Sequence, residues 1–597
     1  MTEYRVPAVF EVPPRGSLAD LVPRNAEQAP DAAVFSRKVG GHWRDVTARV
    51  FADEVDALAK GLLAAGVGLG DRVGLISATR YEWTLADFAI WAAGAVTVPV
   101  YETSSAEQVA WILGDSGAVA CVVETAGHEA RLDSVRADLD GLREVWAIES
   151  GGLDALAEAG QSVSDADLAA RREGLRPDSP ATLIYTSGTT GRPKGCVLTH
   201  GNFLAELGNV TTEVDGLFDE GHSSTLLFLP LAHVLARIIQ VGCVMTRTRM
   251  GHTADVAHLL DDFAGFRPTF LLSVPRVFEK VYNSSAQQAE AAGKGRAFQS
   301  AASTAIAYSE ALDAGGPGLL LRARHALFDR LVYRKLRDAL GGQVEYAVSG
   351  GAPLGARLGH FFRGVGVVVL EGYGLTETTG AHTVNRPDQL RIGTVGRPIA
   401  GSAVKIAEDG EVLVRGGNVF GGYWGGEGVD AETLSSDGWF GTGDLGELDG
   451  DGFLTITGRK KEVIVTAGGK NVVPAVLEDR IRAHPLVSQC MVVGDGRPYV
   501  AALVTLDAEA LPGWLRARGK DTEATLAQLA EDEDVHREVE AAVEEANRAV
   551  SRAEAVRRFR VLAVDFTEEG GQLTPTMKLR RNVVLKEFSA EVEALFG

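Results

Sequence analysis

The first half of the chain alternates short apolar segments with helical ones, and this alternation restricts the fold more than any other feature. The segments "DRVGLIS" (71–77) and "VTVPVY" (96–101) are typical of strands, and "YEWTLADFAIWAAGA" (81–95), between them, is typical of an amphipathic helix. The strand-like segments "AVACVVE" (118–124) and "EVWAIE" (144–149) continue the series. Such alternation predicts an α/β fold in which largely parallel sheets are covered by helices.

Three glycine-rich segments directly follow predicted strands. One comes after "ATLIY" (181–185), one ends "EYAVSGGAP" (345–353), and one ends "VVVLEGYGLTE" (367–377). Ligands of open α/β sheets bind at the carboxyl ends of the strands. We therefore expect the three segments to share one crevice.

The length of 597 residues exceeds the size at which a single hydrophobic core keeps growing, so at least two domains are expected. Alanine-rich residues 283–342 predict a helical insertion at the edge of the main domain. From about residue 400, short strands with tight turns predict a barrel-like subdomain. The chain after "GRKK" (458–461) is long enough for a separate small domain, and its acidic segment 531–556 reads as a helix with a solvated face.

The net charge of −21 argues against a broad nucleic-acid-binding surface. The four cysteines are scattered, which favours neither a zinc site nor a disulfide scaffold. No signal peptide opens the sequence, and the longest uncharged apolar stretch (88–101) is too short for a membrane span. We expect a cytoplasmic protein with no nucleic-acid partner, and leave peripheral membrane contact and a homodimeric state open.

The segment "YTSGTTGRPKG" (185–195) combines glycines, hydroxyl side chains and one lysine. Its backbone N–H groups can surround phosphate oxygens, and Lys194 adds a compact positive charge. A P-loop requires G-x-x-x-x-G-K-[ST], but here the lysine follows Pro193 and precedes Gly195. A Walker-type NTPase is therefore disfavoured.

Two further motifs carry carboxylates. In "EGYGLTETTG", Glu377 is the candidate Mg²⁺ ligand, because Mg²⁺ prefers a few carboxylates together with phosphate oxygens. Glu371 could instead cap a following helix, and Tyr373 could stack on a base. In "WFGTGDLGEL" (439–448), Asp444 is expected in a turn, where it either caps the turn or accepts hydrogen bonds from ribose hydroxyls.

Lysines are concentrated in three short motifs. Five of the chain's 13 lysines lie there: Lys194, Lys460, Lys461, Lys470 and, in "TPTMKLRR", Lys578. Arginine is the usual basic residue elsewhere in the chain. The concentration indicates positions where a flexible point charge is useful.

In this order, "TSGTTGRPKG", "GYGLTET", "GWFGTGD", "GRKKEVI" and the late lysine resemble the adenylate-forming (AMP-binding) superfamily of acyl-CoA synthetases, luciferases and nonribosomal peptide adenylation domains. "LPLAHVLAR" (229–237) and "SVPRVFEKVYN" (273–283), followed by the helical insertion, are similar to its long-chain fatty acyl-CoA synthetase branch. The resemblance implies a large N-terminal domain (1–458), a hinge (459–461) and a small, mobile α+β C-terminal lid (462–597).

The resemblance further implies an ATP-dependent long-chain fatty acid–CoA ligase that uses ATP, Mg²⁺ and coenzyme A. A fatty acid and ATP would give an acyl-adenylate and pyrophosphate, and the CoA thiol would then displace AMP. A carboxylate is a weak nucleophile facing an anionic phosphate, so catalysis would come mostly from positioning and charge neutralisation. Lys578 matches the family lysine that stabilises the adenylation transition state, and Thr186 and Glu377 would lie near Mg²⁺.

The remaining site positions implied by the resemblance bind nucleotide or border the acyl and CoA channels. The expected nucleotide-binding residues are Thr186, Ser187, Gly188, Thr189, Thr190, Gly191 and Lys194 at the phosphates, Gly351, Ala352, Pro353, Glu371, Gly372, Tyr373, Gly374 and Thr376 around the adenine, and Asp444, Arg459 and Lys461 at the ribose and hinge. The expected channel residues are His233, Gly468, Gly469 and Lys470. His233 could equally be a structural histidine, and the role of Lys461 beyond the hinge is open because some family members carry aspartate there.

Other functions stay open. A fatty acyl-AMP ligase would make the same adenylate and pass it to a carrier protein, and a catalytically silent regulator would only bind nucleotide. A kinase-type phosphotransferase is disfavoured, since the sequence has neither a P-loop nor a kinase glycine-rich loop. The apolar segments 229–245 and 268–282 read either as plain core or as walls of an acyl tunnel.

Overall fold

The computed structural model describes residues 2–186, 192–214, 216–426, 433–574 and 577–597. Within these ranges the strands, in chain order, are β1 (Glu3–Arg5), β2 (Ala33–Val39), β3 (His42–Thr47), β4 (Arg72–Ile76), β5 (Val96–Val100), β6 (Ala118–Val123), β7 (Glu144–Ala147), β8 (Pro180–Thr186), β9 (Lys194–Thr199), β10 (Ser224–Leu227), β11 (Arg249–His252), β12 (Phe270–Ser273), β13 (Tyr346–Ser349), β14 (Val368–Leu375), β15 (Gly380–Val384), β16 (Arg397–Pro398), β17 (Ser402–Ile406), β18 (Glu411–Gly416), β19 (Phe440–Leu448), β20 (Leu454–Arg459), β21 (Ile464–Val465), β22 (Asn471–Val472), β23 (Val487–Val493), β24 (Val500–Leu506) and β25 (Val556–Val561).

The α-helices of the same ranges are α1 (Leu21–Gln28), α2 (Ala48–Ala64), α3 (Tyr81–Ala92), α4 (Ala106–Ser116), α5 (Ala126–Asp133), α6 (Gly152–Ala159), α7 (Asp165–Gly174), α8 (His200–Val210), α9 (Val234–Thr246), α10 (Leu259–Phe266), α11 (Pro275–Ala291), α12 (Gly295–Asp313), α13 (Leu319–Phe328), α14 (Arg334–Ala339), α15 (Ala356–Val365), α16 (Pro474–Arg482), α17 (Leu511–Ala517), α18 (Leu526–Ala530), α19 (Glu533–Asn547), α20 (Arg581–Glu587) and α21 (Ser589–Phe596).

Two largely parallel sheets form the centre of the N-terminal part. One has nine strands in the order β16–β15–β14–β13–β12–β10–β11–β2–β3, and the run from β14 to β2 is parallel. The other has six strands in the order β7–β6–β4–β5–β8–β9, in which only the β8–β9 pair is antiparallel. The predicted α/β class is confirmed.

Helix α3 is not amphipathic, in contrast to the prediction. Every residue from Trp83 to Ala92 is buried. The cause is its position inside a hydrophobic cluster to which both large sheets contribute, for example Leu75 of the six-stranded sheet and Phe35 of the nine-stranded sheet. A helix enclosed on every side has no solvent face to carry polar residues.

A fully buried ion pair connects α3 to α9. The guanidinium of Arg237 on α9 donates to both carboxylate oxygens of Asp87 on α3, and neither side chain is exposed to solvent. Asp87 also accepts from Thr97 Oγ1 at 2.7 Å and from Gln240 Nε2 at 3.0 Å. Arg237 Nη1 donates to Thr182 Oγ1 on β8 at 2.5 Å. The network therefore joins two helices to two strands of the six-stranded sheet.

The rest of the chain forms smaller sheets and a helical region. A five-stranded antiparallel sheet, β1–β17–β18–β19–β20, is the predicted short-strand subdomain, and β23–β24–β25 forms the sheet of the small C-terminal domain. The predicted helical insertion contains most of α11 and all of α12 to α14, whereas the domain limits at 459–461 stay a prediction. None of the helices in the described ranges combines the length and the apolarity that a membrane span requires.

We expect Asp87→Ala to lower the free energy of unfolding by about 3–5 kcal/mol, because it leaves the Arg237 guanidinium buried without a counter-charge. The midpoint of the first thermal or urea transition of the N-terminal part measures this loss. Asp165→Ala is the matched control: its carboxylate pairs with Lys60 but is 96% exposed, so the midpoint should hardly move. Equal small shifts for both variants would contradict a structural role of the buried pair.

Candidate active site

The predicted phosphate loop lies between β8 and β9. Thr186 ends β8 and is the antiparallel partner of Lys194, which begins β9. The carbonyl of Pro193 accepts a hydrogen bond from Trp111 Nε1 at 2.9 Å, and the Arg192 guanidinium lies 4.6 Å from the centroid of the same indole ring. The end of the loop is thus held against α4. Five predicted positions lie outside the described residues: Ser187, Gly188, Thr189, Thr190 and Gly191.

The glutamate predicted to bind Mg²⁺ faces this loop from the other large sheet. Glu377 lies in the short 3₁₀ turn that follows β14. Its Oε1 accepts from the hydroxyl of Tyr423 at 2.8 Å, and its backbone carbonyl accepts from the N–H of Phe420 at 2.8 Å. Lys194 Nζ lies 5.5 Å from the centroid of the Tyr423 ring. Tyr423 therefore contacts both the predicted phosphate-binding lysine and the predicted metal ligand.

A buried thiol completes this corner of the site. Cys196 Sγ lies 3.9 Å from Thr186 Oγ1. Burial raises the pKa of the Cys196 thiol, and the neighbouring Glu377 carboxylate raises it further. The thiol consequently stays protonated at neutral pH and adds no charge to this part of the site.

The predicted adenine-binding segments lie at the ends of two adjacent parallel strands. Residues 351–353 follow β13 and are exposed. Glu371 Oε1 accepts from the N–H of Leu354 at 2.9 Å, which ties this loop to β14, and burial raises the pKa of Glu371. A helix cap is not its role, because no helix follows: β14 continues through residues 372–374 and pairs with β15. Buried Thr376 then begins the 3₁₀ turn.

Glycine is required at residue 374 by the strand that lies beside it. A Cβ atom built there would lie 1.7 Å from the carbonyl oxygen of Gly380 on β15. Such a distance is far below van der Waals contact, so any side chain would push the two strands apart. The glycine therefore permits the close pairing that places the 3₁₀ turn and Glu377.

Asp444 lies within β19 and not in a turn, because β19 continues as a strand paired with β20. Its antiparallel partner is Arg459, the last residue of β20. Asp444 Oδ1 forms an ion pair with Arg459, whose Nε lies 2.9 Å away, and Oδ2 accepts from the Tyr373 hydroxyl at 2.7 Å. Burial and the adjacent carboxylate raise the pKa of Tyr373, so its hydroxyl remains a donor. Three of the predicted nucleotide-binding side chains therefore form one network, joined by a hydrogen bond and an ion pair.

The late lysine lies close to this network although it belongs to the C-terminal part. The pKa of Lys578 is lowered, first by the protein that surrounds its ammonium and then by the charge of Arg459. Asp444, Glu377 and Glu462 act in the opposite direction. Lys578 is nevertheless exposed to solvent over part of its surface. Lys578, which the sequence analysis identified, therefore lies near both cationic and anionic side chains.

His233 is the only predicted channel residue that the described part of the chain places near Lys578. It caps the start of α9, where its Nδ1 accepts from the N–H of Leu235 at 3.1 Å. Burial and, secondarily, the charge of Lys578 lower the pKa of His233 to about 3. The imidazole is therefore neutral at physiological pH.

The other predicted channel and hinge residues lie apart from the network. Gly468, Gly469 and Lys470 form an exposed turn between β21 and β22, and Lys470 Nζ lies 3.4 Å from Glu554 Oε1 within the same C-terminal part. Lys461 is exposed in the short turn after β20. In this conformation these residues are not brought to the nucleotide side chains.

Polar contacts join the small C-terminal domain to the large one. Three of them, all made by partly or fully exposed side chains, are Thr103 Oγ1 to Glu568 Oε1 at 2.5 Å, Arg276 Nη2 to Asp507 Oδ2 at 2.7 Å, and Lys280 Nζ to Glu509 Oε2 at 2.6 Å. They fix the position in which Lys578 approaches the network.

Sequence reasoning did not identify Tyr423, Cys196 or Glu462 as site residues. Tyr423 stands in "GGYW", where an aromatic residue after two glycines was the available signal. Cys196 directly follows the phosphate-loop segment, and Glu462 follows the two lysines of the hinge motif. The place of each residue in the site is recognised only from its contacts with segments elsewhere in the sequence.

Two family models match the chain. The model described as AMP-binding enzyme covers residues 22–424, and the model described as AMP-binding enzyme C-terminal domain covers residues 461–597. Tyr373 and Glu377 lie within the first range and Lys578 within the second, whereas Asp444 and Arg459 lie in the stretch between the two matches.

Relatives of known name match along the whole length. The chain is 55% identical over 600 residues to the long-chain-fatty-acid–CoA ligase FadD15 of Mycobacterium bovis, with 100% of both chains covered. It is 32% identical to long chain acyl-CoA synthetase 7, peroxisomal, of Arabidopsis thaliana, over 93% of this chain and 82% of that protein.

Solved structures share the fold at lower identity. The A domain of carboxylic acid reductase from Segniliparus rugosus, in complex with AMP and a co-purified carboxylic acid, superposes with a TM-score of 0.74 at 22% identity, covering 97% of this chain and 94% of that one. The anthranilate CoA ligase AuaEII, in complex with anthranoyl-AMP, has a TM-score of 0.72 at 20% identity, covering 98% and 99% of the two chains.

Proposed function

The chain belongs to the AMP-binding enzyme family, and from this premise we propose that it is an ATP-dependent long-chain fatty acid–CoA ligase. The observation that carries the proposal is the approach of Lys578 to the Tyr373–Asp444–Arg459 network and to Glu377. Two cations and two carboxylates, contributed by separate sheets and by the C-terminal part, suit a nucleotide whose α-phosphate must be attacked. The long-chain preference is supported by the full-length identity to a ligase of that name.

The first half-reaction joins the acid to the nucleotide. A carboxylate oxygen attacks the α-phosphorus of ATP, the bond to the β-phosphate oxygen breaks, and pyrophosphate leaves with its electron pair. Negative charge builds up on the phosphorus oxygens, and the Lys578 ammonium is the group that we expect to offset it. Asp444, held by Tyr373 and Arg459, would accept hydrogen bonds from the ribose hydroxyls, which would fix the α-phosphate relative to the acid.

Mg²⁺ suits the donors at the other end of the triphosphate. The carboxylate of Glu377 and the hydroxyl of Thr186 are hard oxygen ligands, and Tyr423 holds one oxygen of the carboxylate in place. When bound, the ion would neutralise phosphate charge. Lys194, beside Tyr423, would contact the same phosphates as a point charge.

The second half-reaction transfers the acyl group. The sulfur of CoA attacks the carbonyl carbon of the acyl-adenylate, AMP leaves, and the thiol proton passes to solvent or a base. We infer that the C-terminal domain (462–597) turns at 459–461 between the two steps, which removes Lys578. Such a turn would present a different face of the domain, including the exposed segment 468–470, to the site.

Two alternative functions remain. The first shares the adenylation step with the proposed ligase, and the second lacks it. A fatty acyl-AMP ligase would pass its adenylate to a carrier protein, and thioester formation with free CoA tests for that difference. A catalytically silent nucleotide-binding protein would show no ATP–pyrophosphate exchange. The presence of Lys194 and Glu377 at Tyr423, and of Lys578 near Asp444 and Arg459, favours an active enzyme.

Fatty acid, ATP and CoA are the small-molecule partners of the proposed reaction. A long-chain acid partitions into membranes, so we also propose that the enzyme meets this substrate at a membrane surface. A homodimeric state stays a hypothesis, and light scattering coupled to size-exclusion chromatography measures it.

We expect Lys578→Ala to lower the rate of adenylation by about 10²–10³-fold, because one well-placed charge in a shielded site is lost. Thioester formation from preformed acyl-adenylate should be almost unchanged. The two half-reactions are followed separately, by ATP–pyrophosphate exchange and by acyl-CoA release. Lys586→Ala, an exposed lysine on α20, is the control. Equal losses in both half-reactions would remove the assigned role.

We expect Glu377→Gln to raise the Mg²⁺ concentration needed for half-maximal ATP–pyrophosphate exchange, because an amide is a poor ligand for a hard dication. Tyr423→Phe, which removes only the hydroxyl that holds Glu377, should raise it by a smaller amount. Glu447→Gln, an exposed glutamate on β19, is the matched control. An unchanged Mg²⁺ midpoint in Glu377→Gln would exclude this residue from the metal site.

We expect kcat/KM to rise with the chain length of the acid until the acyl cavity is full. Each buried CH₂ contributes up to about 0.8 kcal/mol, or roughly four-fold in kcat/KM. The measurement uses acids from acetate to stearate at saturating ATP and CoA. A flat profile, or a maximum at acetate, would overturn the long-chain preference and leave the adenylating chemistry in place.

A further inference from the structure

Helix α13 and the turn after it expose a row of leucines. The exposed fractions are 85% for Leu319, 82% for Leu320, 55% for Leu327 and 56% for Leu331. The last three are spaced by seven and four residues, so they lie on one face of the helix. No residue of α13 itself is buried. The helix therefore presents an apolar face that no described residue covers.

The opposite side of the helix is held to the protein. His325 Nε2 lies 2.7 Å from the carbonyl oxygen of Gly364, and its ring stacks on Tyr308 with centroids 3.8 Å apart. The hydroxyl of buried Tyr333 donates to the carbonyl of Ala301 at 2.7 Å. The leucine face is thus a fixed feature of the surface and is oriented outwards by contacts on the other side.

Basic side chains flank the leucines. Residues 319–340 contain six lysines or arginines and two aspartates, in a chain whose net charge is −21. Arg330, Arg334 and Lys335 are exposed, and among the described residues none of the three forms a salt bridge. Positive charge is therefore concentrated beside the apolar face, against the sign of the whole molecule.

An open cleft adjoins the end of the same helical segment. Its volume is about 640 Å³, and arginines and aspartates line it together with small residues. Arg337 is engaged by Asp329 at 2.7 Å and by the carbonyl of Val365 at 2.6 Å, whereas Arg334 is not paired within the described chain. The cleft offers room for a phosphate-bearing group beside the leucines.

We propose that this face, made of Leu320, Leu327 and Leu331 with Arg330, Arg334 and Lys335, docks on the surface of an anionic lipid bilayer. Leucines that are more than half exposed can enter the boundary of the acyl chains, while cations beside them contact lipid phosphates. A second copy of the chain is a poorer occupant, because a two-fold contact would bring the same cations together. The docking is independent of the proposed catalysis.

The test is co-sedimentation of the full chain with vesicles of phosphatidylcholine, with and without phosphatidylglycerol. The wild type should bind the anionic vesicles, and more weakly as salt is raised. Arg330→Gln/Arg334→Gln/Lys335→Gln should lower partitioning by about 100-fold, since each cation near an anionic surface contributes roughly a factor of five. Leu320→Gln/Leu327→Gln/Leu331→Gln should lower binding to background at every salt concentration.

Matched controls alter similar side chains on other surfaces. Leu69→Gln/Val564→Gln removes two exposed apolar residues, and Arg537→Gln/Arg548→Gln removes two exposed arginines, one on α19 and one directly after it. Both should bind like the wild type. Ligation of water-soluble octanoate by every variant checks that the proteins are folded, and it separates the docking from the proposed function. Vesicle binding without ligation would support the docking and contradict that function.

Three results would overturn the docking proposal. The wild type could fail to sediment with anionic vesicles, or the leucine variant could bind them as well as the wild type does. Light scattering could also show that the wild type is a dimer and the leucine variant a monomer, while neither protein binds vesicles. The last result would assign the face to contact between copies of the chain.

Discussion

The contact on which the N-terminal part depends is the ion pair of Asp87 and Arg237. It joins α3 to α9, and its partners Thr97 and Thr182 belong to β5 and β8 of the six-stranded sheet. A buried charge is tolerated only when its neighbours satisfy it, so the positions of these elements are mutually constrained. Since β8 leads into the phosphate loop at Thr186, the core network also sets where the site begins.

The site itself is assembled from segments that no single sheet contains. β8 and β9 bring Thr186 and Lys194, the turn after β14 brings Glu377, and the β19–β20 pair brings Asp444 and Arg459. Two hydroxyls link these segments: that of Tyr423, whose backbone bridges to Cys196 on β9, bonds to Glu377, and that of Tyr373 on β14 bonds to Asp444. Tyrosine serves here because it reaches across a gap between elements with a rigid ring and one donor.

The predictions from sequence succeeded where local pattern decides the structure. Strands β4 to β7 were evident because each is a short apolar run bounded by helices or turns. Asp444 was wrongly expected in a turn, because its place in a strand depends on pairing with Arg459, 15 residues later. The amphipathic interpretation of α3 was wrong because two sheets enclose that helix. Tyr423 could not be found, since its partner Glu377 lies 46 residues away.

The seam between the two domains is made of exposed polar pairs, such as Arg276 with Asp507 and Lys280 with Glu509. Pairs of this kind each stabilise a contact by only about 0–1 kcal/mol, and water replaces them readily. In the domain movement that we propose, these pairs would contribute little to holding the C-terminal domain in its docked position. A change in ionic strength alone would then shift the equilibrium between the docked and the released domain. The time that Lys578 spends at the network would therefore depend on the salt concentration.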